Sequence, residues 1–450
     1  SLKDDSLKTE PILTFNQLNQ LKNPDGRILL SEPHNGTLLL KFANSLWGLR
    51  TADNFRFLRK FWELDLVGLD WNFFQGSVAD SKFYGGREDI VYWQDGKGHL
   101  SQYASLGLAS LQGHAAWGKK GIAVSLTGNL PATLYTGELF ANSVAVVWPK
   151  NENELYNLWK FISSKDFNSL VRRIDSKLLV TNQTLLKVPV KWADYTLQQN
   201  IEKISLPKPY SDDATQWLFH GHPIKAENPL QVAVARMLGY RWPAENDSEM
   251  ELSDEARELI KAVKVFDDLT DEDGIFCIPS VNGEEAGADR LRAYLQTVFG
   301  SEWNNQTINQ LLTKEGASSA NLEDWLRKEF FTQHCKAFQN RPFIWNIWDG
   351  RPDGFSALVN YHKLTKENLV KLIYTYLGDW IRMCDAKKKA EESGAEGLLS
   401  AANKLKEKLV AILEGEATYD IFVRWKPLEQ QTIGWEPDLN DGVRLNIRPF

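Results

Sequence analysis

The spacing of apolar residues changes character once along the chain, and that change limits the architectures open to it. Up to about residue 190 apolar residues come in short runs bounded by Gly, Pro and Asn, as buried strands are. These runs are Gly36-Thr-Leu-Leu-Leu-Lys-Phe42, Gly121-Ile-Ala-Val-Ser-Leu126 and Ser143-Val-Ala-Val-Val-Trp148. Helical spacing joins them over Phe55–Glu63 and more extensively over Asn153–Ile174, where Leu155, Leu158, Trp159, Ile162, Leu170 and Val171 fall largely on one face. Beyond Lys187-Val-Pro-Val190 and Leu206-Pro-Lys-Pro-Tyr210 the pattern is mainly helical. Asn228-Pro229 offers an N-cap and a proline at N1, Ser253 precedes Asp254 and Glu255 at another start, and Thr365 opens a stripe of Leu369, Leu372, Ile373, Tyr376, Leu377, Trp380 and Ile381. Leu398–Leu413 gives one more helix. The expected class is α+β: a mixed α/β domain over 1–195, then a predominantly α-helical domain over 196–450, with a further division expected near 245–286.

Composition removes several classes. With 43% apolar and 25% charged residues the chain is an ordinary globular protein, which excludes disorder, collagen and a disulfide scaffold. No run approaches the ~18 apolar residues of a membrane span, and the polar N-terminus has no signal peptide, so no membrane partner is expected. Cys277, Cys335 and Cys384 are too scattered for a metal or disulfide framework and suit a reducing, cytoplasmic location. The chain starts Ser1-Leu2-Lys3 and is read as a fragment of something longer. Its net charge of −7 hides an asymmetry: residues 1–200 carry 22 basic against 19 acidic side chains, and residues 201–450 carry 30 against 40, with acid concentrated between Glu245 and Glu285. A polyanion is drawn to the first part and repelled by that acidic stretch.

Catalytic constellations are incomplete. His220-Gly-His222 places two imidazoles on one side of an expected strand, yet no nearby ligand completes a metal site. Pro352-Asp353 with Asp385-Ala-Lys387 fits a loose nuclease spacing, but Asp-x-Lys also occurs at Asp80 and Asp175. Asn340-Arg-Pro-Phe343 differs from the turn with which amino-methyltransferases hold a flipped adenine, and no glycine-rich loop follows a strand to cradle a nucleotide cofactor. No catalytic residue and no metal site is expected in this chain. Glu284-Glu285 and the 17 Trp leave a glycan-binding or carbohydrate-active protein as a rival, and a scaffold of a defence complex as another.

The N-terminal aromatics Trp62, Trp71, Phe73, Phe74, Phe83, Tyr84, Tyr92 and Trp93 are interleaved with Arg56, Arg59, Lys60, Lys82 and Arg87, a mixture that suits nucleic-acid contact or a β-rich core with a solvated rim. The sequence from Trp47-Gly-Leu-Arg-Thr-Ala-Asp-Asn-Phe-Arg-Phe-Leu-Arg59 to Lys82-Phe-Tyr-Gly-Gly-Arg-Glu-Asp-Ile-Val-Tyr-Trp93 resembles the start of the target-recognition region of large N6-adenine DNA methyltransferases of phage defence. That family includes fused type II restriction-modification enzymes and the methyltransferases of BREX and DISARM systems. Val146-Val-Trp-Pro-Lys-Asn-Glu152 through Leu186-Lys-Val-Pro-Val190 is similar to a later passage of the family. Leu238-Gly-Tyr-Arg-Trp-Pro243, Asp273-Gly-Ile-Phe-Cys-Ile-Pro279, Ala288-Asp-Arg-Leu-Arg292, Arg341–Gly350, Gly354–Lys363 and Asn440–Phe450 are similar to its C-terminal helical region.

The resemblance implies the specificity part of such an enzyme, inactive alone. The catalytic domain and its S-adenosylmethionine would lie N-terminal to it in the same chain, and other defence proteins are further partners. Double-stranded DNA is the expected ligand. In the major groove Arg or Lys pairs with guanine and Asn or Gln with adenine, while phosphate contacts position the duplex. The candidates for one or other role are Arg50, Asn54, Arg56, Lys82, Arg87, Lys97, Lys119, Lys120 and Asn129, with Arg172 and Arg173 at a helix end as clamps or dipole partners.

Overall fold

The computed structural model describes residue 14 and residues 16–21, 36–196 and 206–414; the Asn440–Phe450 stretch lies outside the described residues. The class is α+β. Two compact units divide the chain, the first taking Ser1–Arg59 and Gly68–Pro207, the second Lys60–Val67 and Lys208–Phe450.

The first unit is built on two four-stranded sheets. Its strands are β1 (Ala43–Trp47), β2 (Leu58–Lys60), β3 (Trp71–Gln75), β4 (Asp89–Tyr92), β5 (Gly121–Ser125), β6 (Ala132–Tyr135), β7 (Leu139–Phe140) and β8 (Val144–Pro149). One sheet has the order β1-β8-β5-β6, antiparallel throughout, with Ala43 opposite Pro149, Ile122 opposite Val147 and Gly121 opposite Tyr135. The other has the order β2-β4-β3-β7, where β3 runs antiparallel to β4 and parallel to β7. Every residue of β5 is buried, as are all but Trp148 in β8, because both faces are covered and helix Leu155–Ile162 packs on both strands. That coverage is why these strands read as continuous apolar runs and not as alternation.

Three local expectations change. Phe55–Glu63 is a single helical turn, Asn54–Phe57, followed by β2 and a 3₁₀ turn, Phe61–Glu63. Its Phe57, Phe61 and Trp62 are all buried. The Gly36–Phe42 run supplies only Thr37–Leu38, paired with Pro189–Val190, before a 3₁₀ turn, and the long strand begins at Ala43. Asn153–Ile174 is two helices, Leu155–Ile162 and Lys165–Ile174, because Ser164 leaves the helix and caps the second through Phe167 N.

The second unit combines helices with a sheet that helical periodicity could not reveal. Strands β9 (Ile275–Cys277), β10 (Ile344–Trp348) and β11 (Ser356–Asn360) form the antiparallel order β9-β11-β10. Against it pack a helix broken by a π turn (Lys366–Lys371, Leu372–Tyr376, Leu377–Lys389) and the helix Ala395–Glu414, which enclose Ile275, Val359, Leu372, Trp380, Leu405 and Leu409 in one core. Ser253 and Thr365 cap the helices they precede, accepting from Ala256 N and Asn368 N. Asn228 does not cap Pro229–Met237. The Glu315 carboxylate does so from a distant segment, accepting from Leu230 N at 2.7 Å and Gln231 N at 3.3 Å, while Asn228 donates to the same group.

Candidate nucleic-acid interface

Six of the eleven expected contact residues are carried by segments that meet around one aromatic cluster in the first unit. Trp93, Tyr103 and Trp117 pack on a core of Leu49, Phe57, Phe74, Val91, Leu100, Ala109 and Leu139. Trp93 and Trp117 meet edge to face at 5.4 Å, and His114 lies 4.2 Å from Trp117. Arg56 donates to the Tyr103 hydroxyl at 2.7 Å with its guanidinium 5.0 Å from that ring. Arg50 forms a two-bond bridge with Ser110, and Asn54 accepts from the Thr51 hydroxyl. Lys97 pairs with Asp95 at 2.9 Å, both highly exposed, so water and salt screen the pair.

Trp117 runs straight into Gly118-Lys119-Lys120, and both lysines are exposed ahead of β5. The turn needs its glycines. Gly118 has φ +71°, and a Cβ on Gly137, itself at φ +118°, would come within 2.9 Å of the Gly118 Cα. Strand pairing adds two exposed lysines that the sequence analysis did not single out. Pro149 lies opposite Ala43, placing Lys41 and Lys150 near the start of β5, and the Lys150 ammonium donates to Leu40 O at 2.7 Å. Only the sheet order brings these positions to Lys119. One signal was present in the sequence and unused: no aspartate or glutamate occurs from Lys97 to Gly137.

The remaining candidates lie elsewhere. Lys82, Asn129 and Arg172 sit at the opposite end of the β5–β6 hairpin, roughly 15 Å away along a five-residue strand. There Lys82 N donates to Ala132 O, and Arg172 donates to Gly128 O at 2.6 Å and to Lys177 O. Arg172 thus ties down the loop that bears Asn129. Arg173 borders a surface cleft with Asp166, Lys191 and Tyr195.

Arg87 is a correction. It is fully buried, paired with Glu138 at 2.5 Å, and donates to Leu134 O and Thr136 Oγ1, so it braces the sheet and does not face a ligand. An arginine beside two glycines reads as a loop cation in sequence, and only the fold shows the carboxylate waiting for it.

In the second unit, five stretches that carry the family resemblance converge. Tyr240 and Phe343 meet with their rings tilted and 4.1 Å apart, Asn360 donates from its side chain to Leu238 O at 2.9 Å and from its backbone N–H to Gly274 O at 2.8 Å, and Arg290 lies 5.1 Å from the Phe276 ring while pairing with Asp271 and Glu284. The acidic stretch is spent internally as well as on the surface. Arg236 pairs with Glu245 and Asp267, Arg241 with Asp267, and Lys371 with Asp273.

The weak catalytic constellations do not assemble. His220 and His222 lie in a buried turn and not on a strand, each accepting a backbone N–H two residues on. Burial, then neighbouring positive charge, pulls them down to about 3 and about 4. Asp353 pairs with Arg351, and Asp385 with Lys389. Asn340 ends a helix at φ +58°, Phe343 is buried among Tyr240, His334 and Phe338, and Arg341 binds Glu63, so this turn has no room for a flipped adenine. Among the described residues no group of three or more His, Cys, Asp or Glu is placed to hold a metal, and no helix is long and apolar enough to cross a membrane.

No family model matches the chain. A stretch of 168 residues is 29% identical to the adenine-specific methyltransferase PglX of Lacticaseibacillus casei (strain Zhang), covering 35% of this chain and 14% of that protein. Over part of its length, then, the chain is related to an adenine-specific methyltransferase.

Proposed function

We propose that this chain is the duplex-reading part of an adenine-specific DNA methyltransferase, with methyl transfer and S-adenosylmethionine assigned to a catalytic domain outside these residues. The observation that carries the reading is the acid-free segment Lys97–Gly137, whose aromatic cluster gathers Arg50, Arg56, Lys97, Lys119 and Lys120. Exposed cations attract phosphate, the pair Lys97 makes with Asp95 being screened by water, and Asn54 carries the amide that pairs with an adenine edge. The partial identity to an adenine-specific methyltransferase supports the same assignment. The second unit is the brace, its sheet and helices packed around one apolar core. The catalytic partner domain and other defence-system proteins are its proposed neighbours, in the cytoplasm.

Titrating random duplex against the chain at several salt concentrations tests this. Affinity should fall steeply and log-linearly with salt. Binding indifferent to salt, or binding to oligosaccharide alone, overturns the assignment.

A further inference from the structure

The helix His99–Ser105 ends in a turn that displays two leucines to solvent. Leu106 is 72% exposed and Leu108 52%. The turn is fully hydrogen-bonded: Leu108 N donates to Tyr103 O at 3.0 Å, Gly107 N to Ala104 O at 3.0 Å and Leu106 N to Gln102 O at 3.2 Å, with Gly107 at φ +74°. This is the Schellman pattern, in which the residue after the glycine commonly folds back onto the helix. Here Leu108 stays half exposed, so the two side chains form a rigid apolar tip.

Its surroundings identify what covers it. The Arg56 guanidinium donates to the hydroxyl of Tyr103, whose carbonyl holds the turn, and the Arg50 backbone pairs with that of Ser110, two residues past Leu108, with Asp53 between the two arginines spent on capping Arg56 N. No carboxylate lies in sequence between Lys97 and Gly137. An apolar tip flanked by cations matches a polyanion with an apolar interior, which is duplex DNA: phosphates outside, stacked bases within.

We infer that Leu106 and Leu108 form a wedge that enters the base stack while Arg50 and Arg56 hold the flanking phosphates. This rests on the duplex-reading assignment and adds how the target becomes reachable. An adenine inside a stacked duplex must leave the stack before chemistry can reach it, and an apolar wedge fills the space left behind.

The test uses the whole chain and duplexes carrying either 2-aminopurine or a central abasic site. Wild type should raise 2-aminopurine fluorescence on binding and prefer the abasic duplex by about tenfold, since unstacking is already done there. The double variant Leu106→Ala with Leu108→Ala should lose both effects and keep the salt slope, and Leu178→Ala, an exposed leucine elsewhere on the unit, should keep all three. Wild type that binds duplex with a salt slope but neither unstacks nor prefers the abasic site overturns the wedge and leaves duplex reading intact. Absence of any duplex binding overturns both. Leucine-dependent binding to anionic phosphatidylserine vesicles, or a dimer that the double variant dissociates, assigns the tip to another partner and also overturns the wedge.

Discussion

Replacing both Lys119 and Lys120 with alanine separates phosphate contact from every structural role those residues have. Both side chains are exposed on a turn whose conformation is set by Gly118 and Gly137, so truncation should change stability by no more than about 0.5 kcal/mol. Each phosphate contact releases about 0.9 counterion, so losing two lowers the slope of log affinity against log salt by about 1.8. Between about 50 and 200 mM salt that difference amounts to about tenfold. Fluorescence anisotropy on a labelled random duplex should show the variant weaker at low salt, with the gap to wild type closing about tenfold across the range. Lys177→Ala, an exposed lysine at the far end of the β5–β6 hairpin, should run parallel to wild type. Two parallel lines for the double variant would remove this turn from the interface, and an unchanged urea midpoint would show that the result is not an unfolding artefact.

Arg87→Ala should do the reverse, leaving the salt slope alone and destabilising the fold by about 3–5 kcal/mol through the stranded Glu138. A thermal midpoint equal to wild type would contradict the buried assignment. Glu315→Ala strips the shared cap from Leu230 N and Gln231 N and should cost about 1–2 kcal/mol by chemical denaturation, a loss that Asn228→Ala alone should not reproduce in full. His220, His222 and His334 are held neutral by burial, near 3, 4 and 3 against the ordinary 6.5. Their stabilisation is complete above about pH 6.5 and falls as pH drops toward 4, by about 1.4 kcal/mol per pH unit for each histidine. Asp271, pushed up to about 6 by burial, favours its neutral form in the fold and opposes roughly one of the three between pH 6 and 4. Denaturation midpoints that stay flat from pH 7 to 5 would rule this balance out.

The parts of the fold legible in the sequence were those with one dominant local cause. Ser253 and Thr365 are followed by helices because each hydroxyl meets a free N–H of the first turn. Gly121–Ser125 and Val144–Pro149 could be read because both faces are buried, so nothing polar interrupts them. What could not be read depended on distant partners. The β9-β11-β10 sheet lies in segments no longer than five residues, too short to compete with the surrounding helical periodicity. Arg87 looked like a surface cation because Glu138 is 51 residues away. Lys41 and Lys150 looked unrelated to Lys119 because only the β1-β8-β5 order unites them.

Net charge illustrates the same point and bears on how a chain of −7 can be expected to bind a polyanion. Charges separated by more than about 8 Å are largely screened at physiological ionic strength, so a phosphate responds to the side chains beside it and not to the total. In the second unit Glu245, Asp267, Asp271, Asp273 and Glu284 have arginine or lysine partners, several of them shielded from water, and contribute little field outside. In the first, the Lys97–Gly137 segment contains no acid, and the pair that Lys97 makes with Asp95 just outside it is exposed and screened. A large effect of Lys119 and Lys120 on the salt slope is therefore consistent with a negative total, and moving a single carboxylate into this segment is the sharper probe. Ser110→Glu, beside Arg50, should weaken duplex binding more than Ser248→Glu in the acidic stretch, although both change net charge by the same amount. Equal losses in anisotropy titrations at the same salt would mean that total charge governs binding, and the local interface would have no remaining support.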